Sequence, residues 1–222
     1  MSASSFESSL SDAIRHMEHT PGLTVDEYER SQPKSTQDSD RALQELISVS
    51  PSTSATTAGA YLLEAERIHV RWHRNDYYLD GEFAIKSLHS CLGGGYVTFE
   101  DSRLKQEQRE VMRDLKIFEE APGSGRMTGI RFPAGDRSSE IWFYDLNKCR
   151  LELLAIDYTT YLDTLLATEG VSGWQYLFAD LDFRNDEFRG TAEDLQEMLS
   201  YFPEIFPDRD YAHLIDRLEE RL

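Results

Sequence analysis

The stretch Ile68-His-Val-Arg-Trp-His73 decides how the chain is read. Ile68, Val70 and Trp72 alternate with His69, Arg71 and His73, so an extended backbone carries three apolar side chains on one face and three polar ones on the other. That is the pattern of a half-buried antiparallel strand. Asn75-Asp76 then supplies a turn, and Gly81-Glu-Phe-Ala-Ile85 a second strand.

The same signal recurs downstream. Lys116-Ile-Phe118 and residues 127–132 flank Pro122-Gly-Ser-Gly125, and Glu140-Ile-Trp-Phe-Tyr-Asp145 precedes Arg150-Leu-Glu-Leu-Leu-Ala-Ile156; each pair reads as a hairpin. Between them, Leu92-Gly-Gly-Gly95 breaks the chain before Tyr96-Val-Thr-Phe99. Residues 101–112 are charged without a broad apolar stripe, which predicts a solvent-exposed helix or a long excursion.

Helical spacing dominates both ends. Phe6, Leu10, Ala13, Ile14 and Met17 predict a short amphipathic helix, and Asp40-Arg-Ala-Leu-Gln-Glu-Leu-Ile47 another, followed by a Ser/Thr-rich loop over 48–57. In the last third, helical patterns cover 158–167, 173–179, 191–202 and 209–222, with capping-box spacing at Thr191-Ala-Glu-Asp194. Strands in the middle and helices at the ends define an α+β class: a central antiparallel or mixed sheet, helices packed on one face, and helical N- and C-terminal segments. The expected organisation is an N-terminal amphipathic helix and linker over 1–36 and a single α+β domain over 37–222.

Charge is unevenly placed. Residues 151–222 hold 17 Asp and Glu against 5 Arg and no Lys, a balance of −12 out of the chain's −18. Such acidity repels phosphate backbones and anionic membranes, so neither nucleic acid nor a membrane is the expected partner. With no signal-peptide pattern and no long apolar run, the expectation is a soluble cytoplasmic protein. Cys91 and Cys149 form no metal-binding or disulfide pattern and read as reduced thiols.

Spacing disfavours the obvious chemistries. His69 and His73 stand roughly 13 Å apart on a strand, too far to share a metal. His16 and His19 lack a third ligand. Gly93-Gly-Gly95 lacks the Lys-Ser/Thr of a phosphate loop, and the serines around His89 lack a nucleophile elbow. Asp180-Leu-Asp-Phe-Arg-Asn-Asp186 departs from the calcium-loop pattern. The expectation is therefore no catalytic residues, no metal and no cofactor. Trp174 and Phe178 are assigned to the core, and Tyr176 nearer the surface.

Ile68-His-Val-Arg-Trp72, Gly81-Glu-Phe-Ala-Ile85, Tyr161-Leu-Asp-Thr-Leu-Leu166, Gly173-Trp-Gln-Tyr-Leu-Phe178 and Phe202-Pro-Glu-Ile-Phe-Pro207 together resemble the SUKH superfamily, which joins fungal cell-wall-assembly regulators with bacterial immunity proteins. The front differs: Ser50-Pro-Ser-Thr and Gly59-Ala-Tyr-Leu62 stand where members carry a Leu-Pro-x-x-Tyr type motif and an Asn-Gly turn. The resemblance implies an α+β fold and action by binding, in bacterial members as antidotes that occlude a toxin, frequently a nuclease.

A nuclease presents Lys and Arg to phosphate, so an acidic inhibitor fits the same surface. The expected partner is a basic protein, a toxin domain on this reading. The expected partner-binding residues are Asp180, Asp182, Asp186 and Glu187 with Tyr176 and Tyr201 as aromatic anchors. The competing expectations are an intracellular regulatory scaffold and a carboxylate- and metal-dependent hydrolase.

Overall fold

Seven strands run in chain order across one antiparallel sheet: β1 (Leu23–Arg30), β2 (Arg67–Arg74), β3 (Asp80–Lys86), β4 (Lys116–Ala121), β5 (Arg126–Arg131), β6 (Glu140–Asp145) and β7 (Arg150–Leu154). The computed structural model describes residues 5–32, 41, 44, 47, 59–93, 101–133 and 139–222. The predicted loop at 48–57, the Tyr96-Val-Thr-Phe99 segment and most of the predicted helix over 40–47 lie outside these residues.

The alternation at Ile68-His-Val-Arg-Trp-His73 sets the register. Ile68 faces Ile85, Val70 faces Phe83 and Trp72 faces Gly81, so the apolar side chains of two strands share one face. That inner face continues through Glu119, Thr128 and Phe143. It is covered by α1 (Phe6–His19), α4 (Tyr158–Thr168), a 3-10 turn (Trp174–Phe178), α5 (Arg189–Ile205) and α6 (Ala212–Glu219), which share one buried core with it. The antiparallel α+β architecture with its helical layer is thus present.

Four local features differ from the sequence reading or extend it. Leu23–Arg30, within the expected helix-and-linker unit of 1–36, is the edge strand β1, and α1 contributes Phe6, Leu10, Ile14 and Met17 to the main core. Its mixed Asp, Glu and Arg content hid it, because an edge strand exposes most of its side chains. The 101–112 segment runs into α3 (Gln106–Arg113), which is not wholly solvent-exposed. Its Met112, with Leu104 and Leu115, packs on Tyr144 and Leu151 in a second, smaller cluster. α2 (Leu88–Gly93) closes β3.

The capping-box reading at Thr191 gives way to a helix that starts two residues earlier, at Arg189, with Phe188 in the cap position and no side-chain cap. A 3-10 turn, Asp186–Phe188, runs directly into the helix and supplies its entry. Thr191 is buried instead, its methyl facing Gly173.

Candidate partner-binding site

The loop between β2 and β3 puts two adjacent tyrosines outside the fold. Tyr78 is 97% exposed and Tyr77 44%, while the next residue, Leu79, is 2% exposed and anchors the loop. The loop is held from behind: Arg74 N donates to Leu79 O at 2.8 Å, Asn75 N to Gly22 O at 2.9 Å, and Thr24 Oγ1 to Asn75 Oδ1 at 2.9 Å. A hollow of about 470 Å³ is lined by His73 to Asp80.

Arg74 ties this loop to α5. Its guanidinium donates to Asp76 Oδ1 at 2.6 Å and to Glu197 Oε1, and lies 4.0 Å above the centre of the Tyr201 ring and 5.6 Å from that of Tyr77. One cation thus organises two carboxylates and two aromatic rings. Gly22, at φ 91°, approaches from β1's side: a Cβ there would stand 3.5 Å from the Tyr201 hydroxyl.

Beside this knot the carboxylates are less well matched. Asp194 is pushed up to about 6 by burial and by the neighbouring charges of Asp80 and Glu193, with Arg126 opposing. Asp80 and Glu193 are exposed. Accessible aromatic area therefore lies beside carboxylates that repel one another, and a cation placed there would relieve that repulsion.

The six residues expected from sequence do not form one surface. Tyr201 is half-buried and belongs to the Arg74 knot. Tyr176, expected nearer the surface, is instead fully buried: all five residues of its 3-10 turn are buried, and its ring packs edge-on between Phe143 and Phe188, leaving no solvent face. Its hydroxyl donates to Asp145 Oδ2 at 3.1 Å. Asp182 accepts from Arg184 Nη2 at 2.7 Å, which holds its carboxyl below the usual range. Asp186 accepts from Arg189 at 2.5 Å, and Glu187 meets Arg150 Nη1 at 3.5 Å. Asp180 is exposed on the rim of a different groove, beside β7. Counting acids along the chain overlooked that arginines close in space neutralise three of them.

Tyr77 and Tyr78 were missed, although a signal existed. Two aromatic residues directly after the turn dipeptide Asn75-Asp76 have no strand period to bury them.

The strongly shifted acids lie elsewhere, inside the core. Glu119, 1% exposed, has Tyr161 Oη at 2.9 Å and Thr128 Oγ1 at 3.0 Å from its Oε2, and burial pushes it up to about 7. Glu169 is also fully buried and pushed up to about 7 by burial, with Arg209 Nη2 at 2.6 Å opposing. Neither opens on the Tyr77–Tyr78 hollow. His69 and His73 are each paired with acids, His69 with Glu27 and Glu82 and His73 with Asp26. Among the described residues no group of three or more His, Cys, Asp or Glu is arranged to hold a metal. No described helix is long and apolar enough to cross a membrane.

Comparison with protein-family models, with curated proteins and with solved structures finds no match.

Proposed function

We propose that the protein acts by binding rather than catalysis, as an immunity-type antidote that occludes a basic toxin domain with an acidic, aromatic surface. The observation that carries this reading is the Tyr77–Tyr78 projection beside Asp80, with Asp194 close enough to feel the charges of Asp80 and Glu193. Exposed tyrosine offers large contact area at small conformational cost, and the surrounding carboxylates speed and orient the approach of a cationic partner. The net charge of −18 extends that attraction over the whole molecule. The SUKH-like motifs point to the same class, with the partner's own phosphate-binding surface as the target.

The test is capture of the tagged full chain's partner from its native cells at low and at raised salt, followed by co-expression of the captured protein with and without this chain. The expected result is a basic partner, lost as salt rises, that harms cells alone and is tolerated in co-expression. Tyr78→Ala and Asp80→Lys weaken capture by tenfold or more, or about 1.4 kcal/mol. A partner held equally at both salts, or no protection on co-expression, would overturn the reading.

A further inference from the structure

The sheet has two edges, and they are treated differently. β1 carries Asp26, Glu27 and Glu29 and an irregularity between Val25 and Glu27, devices that discourage another strand from pairing. β7 carries Arg150-Leu-Glu-Leu-Leu154 and leaves Leu153 46% exposed. Beside it runs a groove of about 680 Å³.

Backbone hydrogen bonds show which groups of β7 are open. Gln108 Nε2 of α3 donates to Leu151 O at 3.4 Å, and Ala155 N donates to Phe178 O at 2.9 Å. Both contacts come from elements other than β6. Leu153 lies two residues from each, and backbone direction in a strand repeats every two residues, so its N–H and C=O also point away from β6. On that side they meet no hydrogen-bonding partner among the described residues. Among the described residues the edge is therefore capped at both ends and open in the middle.

Side chains define what fits the opening. Leu153 faces Trp142 across the β6–β7 ladder, giving one apolar face. Glu152 points to the other face, opposite Phe143, and Asp180 stands nearby on the groove wall. The groove lining holds the carboxylates of Glu140, Glu152 and Asp180 against one guanidinium, Arg221. Glu140 and Glu152 already accept from Trp142 Nε1 and Arg150 Nε, which leaves Asp180 as the more available charge.

We propose that the β7 edge is a strand-addition site for an extended segment of a partner protein, with an apolar residue opposite Leu153 flanked by basic residues. Two backbone hydrogen bonds to Leu153 hold the segment, Leu153 and Trp142 take its central side chain, and Asp180 takes a flanking cation. This site is independent of the Tyr77–Tyr78 surface, so either can fail alone.

The full chain is titrated with the blocked peptide acetyl-Lys-Val-Lys-Val-Lys-amide and with its Glu-Val-Glu-Val-Glu counterpart, followed by amide NMR and hydrogen exchange. The basic peptide is expected to slow exchange of the Leu153 amide about tenfold or more and the acidic one to leave it unchanged. Leu153→Pro, which removes an N–H not used by the β6 ladder, is read at its neighbours, and there it abolishes the basic peptide's shift of the Glu152 and Leu154 amides. Asp180→Lys, on an exposed side chain, reduces it without altering the strand, so the proposal stays testable if the proline variant fails to fold. Equal response to both peptides, or shifts at Glu152 and Leu154 that survive Leu153→Pro, overturns it. So does protection of Leu153 without peptide that grows with protein concentration, since a second copy would then hold the edge.

Discussion

Trp72 and Gly81 face each other across β2 and β3, and the indole occupies the place a side chain on Gly81 would take. A Cβ there would stand 2.4 Å from Trp72 Nε1 and 2.7 Å from Glu169 O. The same Nε1 donates to Glu169 O at 2.7 Å, tying the second strand to the residue that ends α4. Glycine is needed for this approach, since both neighbours are themselves fixed.

We predict that Gly81→Ala lowers stability by about 1 to 3 kcal/mol, the usual range for overpacking a filled core. Adding Trp72→Phe, which shortens the ring, should recover part of the alanine's cost, so the double variant is less destabilised than the sum of the singles. Urea unfolding of the four proteins measures this; an unchanged midpoint for Gly81→Ala would refute it.

Glu119 predicts a pH dependence of stability. Its carboxyl is raised from 4.5 to about 7 by burial, so the folded state keeps a proton that the unfolded chain releases. The contribution of this group to stability is therefore greatest below 4.5, falls between 4.5 and 7, and levels off above, a loss of about 3 kcal/mol. Glu119→Gln removes that slope. The difference in unfolding free energy between the two proteins should change across this window, and a constant difference would exclude the assignment.

Glu7 is a buried clasp on the first helix. Its Oε2 accepts from Glu64 N at 2.6 Å and Ala65 N at 3.3 Å, and its Oε1 from Arg30 Nε at 2.8 Å. Glu7→Ala leaves these donors without their acceptor, at a cost of about 2 to 4 kcal/mol. Faster hydrogen exchange at the Glu64 and Ala65 amides is the local signature; unaltered exchange there would show that other groups hold them.

Tyr78 should matter to a partner and not to the fold. With 97% of its surface exposed, Tyr78→Ser is expected to change stability by less than about 0.5 kcal/mol. A large drop in melting temperature would mean the ring packs on something, and the binding role argued from its exposure would fall.

The sheet was legible in the sequence because alternation and turn residues are local signals. Ile68-His-Val-Arg-Trp-His73 predicted both a strand and its buried face, which the pairing of Val70 with Phe83 bears out. β1 was not legible, since Leu23-Thr-Val-Asp-Glu-Tyr-Glu-Arg30 lacks apolar alternation over most of its length and becomes a strand by pairing with β2. Tyr176 was misplaced because a 3-10 turn was read as a helix with a wet side. The acidic surface was misjudged for a related reason: Arg150 reaches Glu187 from 37 residues away, and no count along the chain registers such a partner.

Because the strands pair in the order they are made, each hairpin can close as the chain leaves the ribosome, without waiting for a distant strand. The inner face cannot be sealed so early. Phe83, Phe118 and Phe143 lie under α4, α5 and the turns between, all encoded after residue 157. A nascent chain that has completed its sheet still shows a bare aromatic face until the last third emerges, and it is during that interval that the protein most needs a chaperone.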